Sequence, residues 1–149
     1  MTRRLLPLAV LAALVLTSVA ANARSTIKPR SGTYAGTLAA PRTEYSVTLT
    51  VAHGKLTKAT LSNIPLYCSS GGPATPVRFA GSTIAPTTGA FSTTGDYVVK
   101  VGPYKGKVGE KLKLSGRFSS KGTVSGVLAT AFVLNGPKCT GKDAFSAAL

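Results

Sequence analysis

From Tyr45 to Val51 the chain reads Tyr-Ser-Val-Thr-Leu-Thr-Val, an alternation of apolar and hydroxyl side chains. Successive side chains of a strand point to opposite faces, so this spacing predicts a half-buried β-strand with Tyr45, Val47, Leu49 and Val51 inward. His53-Gly54 predicts a tight turn, because glycine tolerates positive φ there. Lys55 to Leu61 then returns as a second strand. Its apolar residues, Leu56, Ala59 and Leu61, break the alternation once, which predicts a β-bulge near Thr57-Lys58. A lone hairpin is marginal in water, so its apolar face requires a second layer to cover it.

The same pattern recurs along the chain. Gly32 to Leu38 reads as a strand with Tyr34 and Leu38 inward, ended by Pro41. Further strands are predicted over Val77–Ile84, from Gly89 to Ser92, and over Asp96–Val101 with Tyr97, Val99 and Val101 on one face. Lys111 to Phe118 places Leu112, Leu114 and Phe118 inward and Lys111, Lys113 and Arg117 outward. Val124 to Leu134 becomes apolar on both faces toward its end, as a central strand does. Asp143 to Leu149 forms a last strand through Phe145. Asn63 to Thr75, rich in Pro, Ser and Gly, reads as a long loop. No segment shows helical periodicity. These elements predict an all-β domain, a single antiparallel β-sandwich of about seven to nine strands, jelly-roll-like or Ig-like. A barrel is the other option; the varied strand lengths favour the sandwich. Val47, Leu49, Leu114, Phe118, Leu128 and Phe132 are the expected shared core.

The N-terminus follows different rules. Arg3 and Arg4 precede an apolar run from Leu5 to Val19, and Ala21-Asn22-Ala23 has the small-x-small form of a cleavage site. Residues 1–23 therefore read as a secretory signal peptide, 24–31 as a flexible basic arm, and 32–149 as the β-domain. The run falls short of the ~20 apolar residues of a membrane-spanning helix, so the mature protein is expected to be secreted or envelope-associated, without a transmembrane anchor. In an exported chain, Cys68 and Cys139 are most simply one disulfide. A two-thiolate metal site lacks further ligands. Closing a loop of about 70 residues would stabilise the fold by roughly 4 kcal/mol in the chain-entropy model.

Charge narrows the choice of partner. The chain holds 18 Lys and Arg against 4 Asp and Glu, a formal net charge of +14 that falls by two with the leader's Arg3 and Arg4. Such an excess favours anionic partners or simply keeps a Ser- and Thr-rich protein soluble. It concentrates in one stretch: Lys100, Lys105, Lys107, Lys111, Lys113 and Arg117, with Tyr104 among them and Glu110 the single acid. Lys111 and Lys113 on one strand face stand ~7 Å apart, a spacing suited to successive charges on an extended polyanion. Tyr104 is placed to stack on a sugar or base. The opposing reading is a solvated edge, which lysines commonly protect from aggregation. Ser69-Ser70-Gly71-Gly72 offers backbone N–H groups to an anion but more commonly marks a turn.

Catalysis finds little support. The only histidine, His53, falls on a turn, and Glu44, Asp96, Glu110 and Asp143 are scattered. General acid–base chemistry usually draws on His or paired carboxylates. There is no Gly-x-Ser-x-Gly elbow and no cluster with metal-ligand spacing. No cofactor is expected.

Several pieces together resemble a group of secreted bacterial β-sandwich domains common in actinobacteria. They are Gly32-Thr33-Tyr34-Ala35-Gly36, the hairpin Val51 to Leu56, Cys68 in the following loop, and Gly-x-Phe at Gly89-Ala90-Phe91 and Gly116-Arg117-Phe118. Gly122 to Leu128 follows, then Cys139-Thr140-Gly141 and Phe145-Ser146-Ala147, with Phe145 where the group has Trp. The resemblance implies a two-cysteine β-sandwich and brings no activity with it; its glycines and aromatics imply turns and core. The expected function is a non-catalytic secreted binding module for anionic polysaccharides or envelope polymers, through Lys100, Tyr104, Lys105, Lys107, Lys111, Lys113 and Arg117. A structural, protein-contacting role in the envelope is the alternative, and a hydrolase ranks last. Specific nucleic-acid binding is not expected, and the expected state is a monomer.

Overall fold

The computed structural model describes residues 26–62, 76–134 and 139–149. The expected signal peptide, the start of the arm, the loop 63–75 with Cys68 and its Ser-Ser-Gly-Gly run, and the turn at 135–137 lie outside the described residues. The described chain forms nine strands: β1 (Gly32–Leu38), β2 (Ser46–Ala52), β3 (Lys55–Ser62), β4 (Val77–Phe79), β5 (Ser82–Thr83), β6 (Ala90–Val98), β7 (Val108–Phe118), β8 (Thr123–Phe132) and β9 (Thr140–Ala148). No helix among the described residues is long and apolar enough to cross a membrane, which says nothing of spanning by strands.

The strands make one antiparallel sheet in the order β4-β3-β2-β1-β9-β8-β7-β6, with β5 beside β4 on β3. β1 pairs with both β2 and β9, so the first and last strands are neighbours. The sheet curls until β6 meets β4 and β5. There the Ala80 N–H donates to the Thr94 carbonyl at 3.1 Å. Thr93 Oγ1 donates to Ala80 O at 2.5 Å and Ser82 Oγ to Ser92 O at 2.8 Å. The result is an all-β, barrel-like sandwich that is nearly closed. Its connectivity is an up-and-down meander, not the crossing connections of a jelly roll or Ig sandwich. Strands consecutive in the chain are neighbours in the sheet from β1 to β4 and from β6 to β9, and the short β4 and β5 at the seam account for the varied strand lengths.

Local signals account for much of this. His53 (φ 50°) and Gly54 (φ 72°) are both left-handed, the backbone of a type I′ hairpin turn. Thr50 pairs with Lys58 and Val51 with Leu56, so Thr57 is the extra residue of the expected bulge. Its Oγ1 donates to Thr50 O at 3.1 Å. Other boundaries move. The two strands expected between Gly89 and Val101 are one, β6, whose polar Ser92-Thr93-Thr94 segment bonds across the seam. Regular structure ends at Val98, and Val101 is 63% exposed rather than inward. Residues 26–31 are not a free arm. The Ile27 N–H donates to Pro86 O at 2.7 Å, Pro29 is buried, and Tyr34 donates its hydroxyl to Arg30 O at 2.9 Å. This segment lies over the lower end of the sheet, with the turns at His53-Gly54, 84–89 and 119–122. The turn 39–45 and the β6–β7 loop share the upper end.

Val47, Leu49, Leu114, Phe118 and Leu128 share one core, as their spacing predicts, while Phe132 is only half-buried near the upper end. Phe118 is fully buried, edge-on to Tyr34 at 5.0 Å and tilted against Phe91 at 5.1 Å between centroids. Beside this cluster β7 and β8 come close at the facing pair Gly116–Gly126. A Cβ on Gly126 would collide with the Ser115 carbonyl oxygen and stand 2.6 Å from both Gly116 Cα and Phe145 Cε1. Replacing Phe118 by Ala is expected to cost about 3–5 kcal/mol in a denaturant titration. A loss below about 1 kcal/mol, the range of surface changes, would contradict this central position.

Candidate functional site

Alternation along β7 sends Glu110, Leu112, Leu114 and Phe118 into the core and leaves Lys111, Lys113 and Arg117 exposed. This matches the orientation expected from the sequence. β8 does the same with Val124, Leu128 and Thr130 inward, so its outward residues near the upper end are Ala129 and Ala131. Register joins the strands into rows. Thr94, Lys113, Ala129 and Lys142 stand side by side on β6, β7, β8 and β9; Asp96, Lys111, Ala131 and Thr140 form the next row. Because the two alanines are short and the lysines on either side long, the outer face of β8 is the floor of a groove of about 750 Å³. Lys113 and Lys142 flank Ala129 one strand away on each side, their backbones ~10 Å apart. Asp96 on the β6 side is the one acid lining the groove.

The structure divides the seven residues singled out from the sequence. Lys111 and Lys113 line the groove. Arg117 lies further down β7, opposite Ser125. Lys100, Tyr104, Lys105 and Lys107 are exposed on the β6–β7 loop beyond the upper end. Tyr104 is 37% exposed, with the Lys107 ammonium 5.9 Å from its ring centroid, so that lysine already occupies one side of the ring. Sequence reasoning missed Lys142, Thr94, Asp96 and the alanine floor. Lys142 is distant in sequence, and only the pairing of β9 with β8 brings it opposite Lys113. Its one signal was its place between the inward-facing positions 141 and 143 of a short strand.

The acids fall into different surroundings. Glu44 is exposed on the turn before β2, and Asp96 faces outward in the groove. Asp143 accepts from the Arg42 guanidinium, with Nε at 3.5 Å. Glu110 is inside the sheet at 2% exposure, beside Tyr97 on β6 and Phe132 on β8. Burial pushes its carboxyl up from the ordinary value of 4.5, and the nearby Thr130 hydroxyl offsets this in part. The two side chains face one another without a well-formed hydrogen bond: Glu110 Oε2 and Thr130 Oγ1 are both buried and lack partners among the described residues. His53 sits at the lower end, away from Glu110. No group of three His, Cys, Asp or Glu among the described residues is arranged to hold a metal ion.

No protein-family model, curated protein or solved structure matches the chain.

Glu110 makes a signed prediction. Its folded carboxyl holds its proton to higher pH than its unfolded one, so between those two values the folded state binds more protons and stability falls as pH rises. The contribution is fully favourable at and below about 4.5 and is lost as pH climbs through the raised folded value. Glu110→Gln is expected to flatten the decline in Tm measured from pH 4 upward. An unchanged pH profile would show that Glu110 does not titrate in this way.

Proposed function

We propose that the protein is a secreted, non-catalytic binding module that holds an anionic polymer on the outer face of β7, β8 and β9. One observation carries this reading: Lys111 and Lys113 on β7 and Lys142 on β9 stand on both sides of an alanine-floored groove. Like charges held on both walls repel one another and are relieved by an anion between them. The scattered acids and the position of His53 supply no acid–base pair beside this groove, so a hydrolase remains the weakest reading. A structural, protein-contacting role in the envelope would use contacts along a sheet edge. Here β4 and β6, the two ends of the sheet, face each other across the seam, which favours binding over edge assembly. Membership of the secreted two-cysteine group is part of the same proposal.

Replacing Lys111, Lys113 and Lys142 together by Gln is expected to weaken retention on an acidic polysaccharide matrix at low salt. The slope of log K against log salt should flatten by up to about three if each lysine neutralises one ligand charge. Folding stability should stay within about 0.5 kcal/mol, as for other exposed positions. A triple variant with parental affinity and slope would remove the groove from consideration and leave the charge as a solubilising feature.

The disulfide belongs to the same proposal. Cys139 leads into β9 at the upper end and is not a free thiol. The ends of β3 and β4, Ser62 and Val77, lie toward that end as well, and the connection between them carries Cys68. We infer that Cys68 and Cys139 are joined. The unreduced exported protein is expected to weigh two hydrogens less than the reduced one. Two alkylatable thiols in the native protein would refute the link.

A further inference from the structure

The outer face of β8 and β9 holds a second hollow below the first. Thr37 on β1, Ser146 on β9 and Ser125 on β8 stand in one row, and Ala35, Ala148 and Thr123 in the next. They line a groove of about 510 Å³ that contains no charged side chain. The cationic and hydroxyl basins adjoin along β8 and β9, the upper one floored by β8 and the lower one centred on β9 between β1 and β8. Outward side chains on β8 run Thr123, Ser125, Val127, Ala129, Ala131, none larger than valine. Val127, paired with Ala144 on β9, is the low divide between the basins. From Thr123 to Ala131 is about 26 Å at ~3.3 Å per residue. Arg117, opposite Ser125, gives the lower half a cation on its β7 side.

We propose that the two basins form one track for a linear acidic polysaccharide that runs from the outer face of β8 onto that of β9. Its acidic group sits between Lys113 and Lys142, and its neutral, hydroxyl-bearing units lie over Thr37, Ser146 and Ser125. This rests on the reading of the upper groove as the anion site and adds the ligand's chemistry, length and direction. Hydroxyls that both donate and accept match the hydroxyls of a sugar. No aromatic side chain lines either basin, so the bases of a single-stranded nucleic acid have no stacking platform there. Asp96 in the upper basin accepts from a sugar hydroxyl and repels a second phosphate or carboxylate, which favours a chain whose charges are spaced by neutral units.

The test is a length series of uronic-acid oligosaccharides with alternating neutral sugars, titrated calorimetrically into the mature protein. Affinity is expected to rise with length until the oligomer spans about 26 Å and then level off. Ser125→Ile with Ser146→Ile fills the lower basin without changing charge or adding a stacking ring. This double variant is expected to bind the long oligomers about tenfold more weakly, as losing one or two hydrogen bonds would, and the shortest ones as the parent does. Affinity that is flat from the shortest oligomer upward in the parent would overturn the track and leave the upper anion site standing. If no oligosaccharide binds at any length while polyphosphate or single-stranded DNA does, the polysaccharide assignment fails. If no anion binds at all, the upper groove reading fails with it.

Discussion

The structure depends on how closely β7 and β8 approach at Gly116 and Gly126. These residues face each other at inward positions, where a side chain on either would strike the neighbouring backbone. With hydrogen in place of Cβ, the sheet can curl tightly enough for Phe118, Tyr34, Phe91 and Phe145 to fill one continuous core. Gly36 on β1 plays the same part against Ser146 and Ala147 of β9. The curl then carries β6 round to β4 and β5, where three hydrogen bonds close the seam and cover the strand edges that would otherwise invite pairing with another chain.

The surface hollows follow from that same sheet. A strand alternates faces, so a core-facing Leu128 and Thr130 oblige Ala129 and Ala131 to face out. Small outward residues on β8 and long outward residues on its neighbours make a trough without any loop or insertion. The cationic walls rest on β7 and β9, rigid elements that hold the lysine backbones in register at little entropic expense. The β6–β7 loop, with Tyr104 and three lysines, extends past the upper end and has no such scaffold beneath it. Inside the sheet, Glu110 is the counterpoint: the same alternation that exposes Lys111 buries its neighbour, and the fold meets that burial by favouring the neutral carboxyl.

Much of the fold was legible from single residues and short patterns. The hairpin at His53-Gly54, the bulge at Thr57, the inward set on β7 and the central place of β8 all follow from period-two alternation, positive φ and one missed beat. These are local constraints, in which each residue's neighbours in sequence are also its physical partners. The same locality explains the errors. The polar run in β6 read as a break because its partners, the Ala80 backbone and the Ser82 hydroxyl, lie across the seam in the β4–β5 segment. The segment 26–31 read as loose because its contacts at Pro86 and Gly122 are remote in sequence.

The amino-acid sequence by itself determined that this is an antiparallel β protein, which side chains strands such as β2, β3 and β7 turn inward, and that its excess charge is positive. Tertiary structure alone decided that the sheet closes as a meander and that Lys142 stands opposite Lys113. It also decided that two alanines become the floor of a groove and that Thr37, Ser146 and Ser125 form one row. The reason is that facing along a strand is a property of the chain's own period, whereas neighbourhood across strands is set by register. Register is fixed only when the sheet curls onto its core and all pairings are satisfied at once.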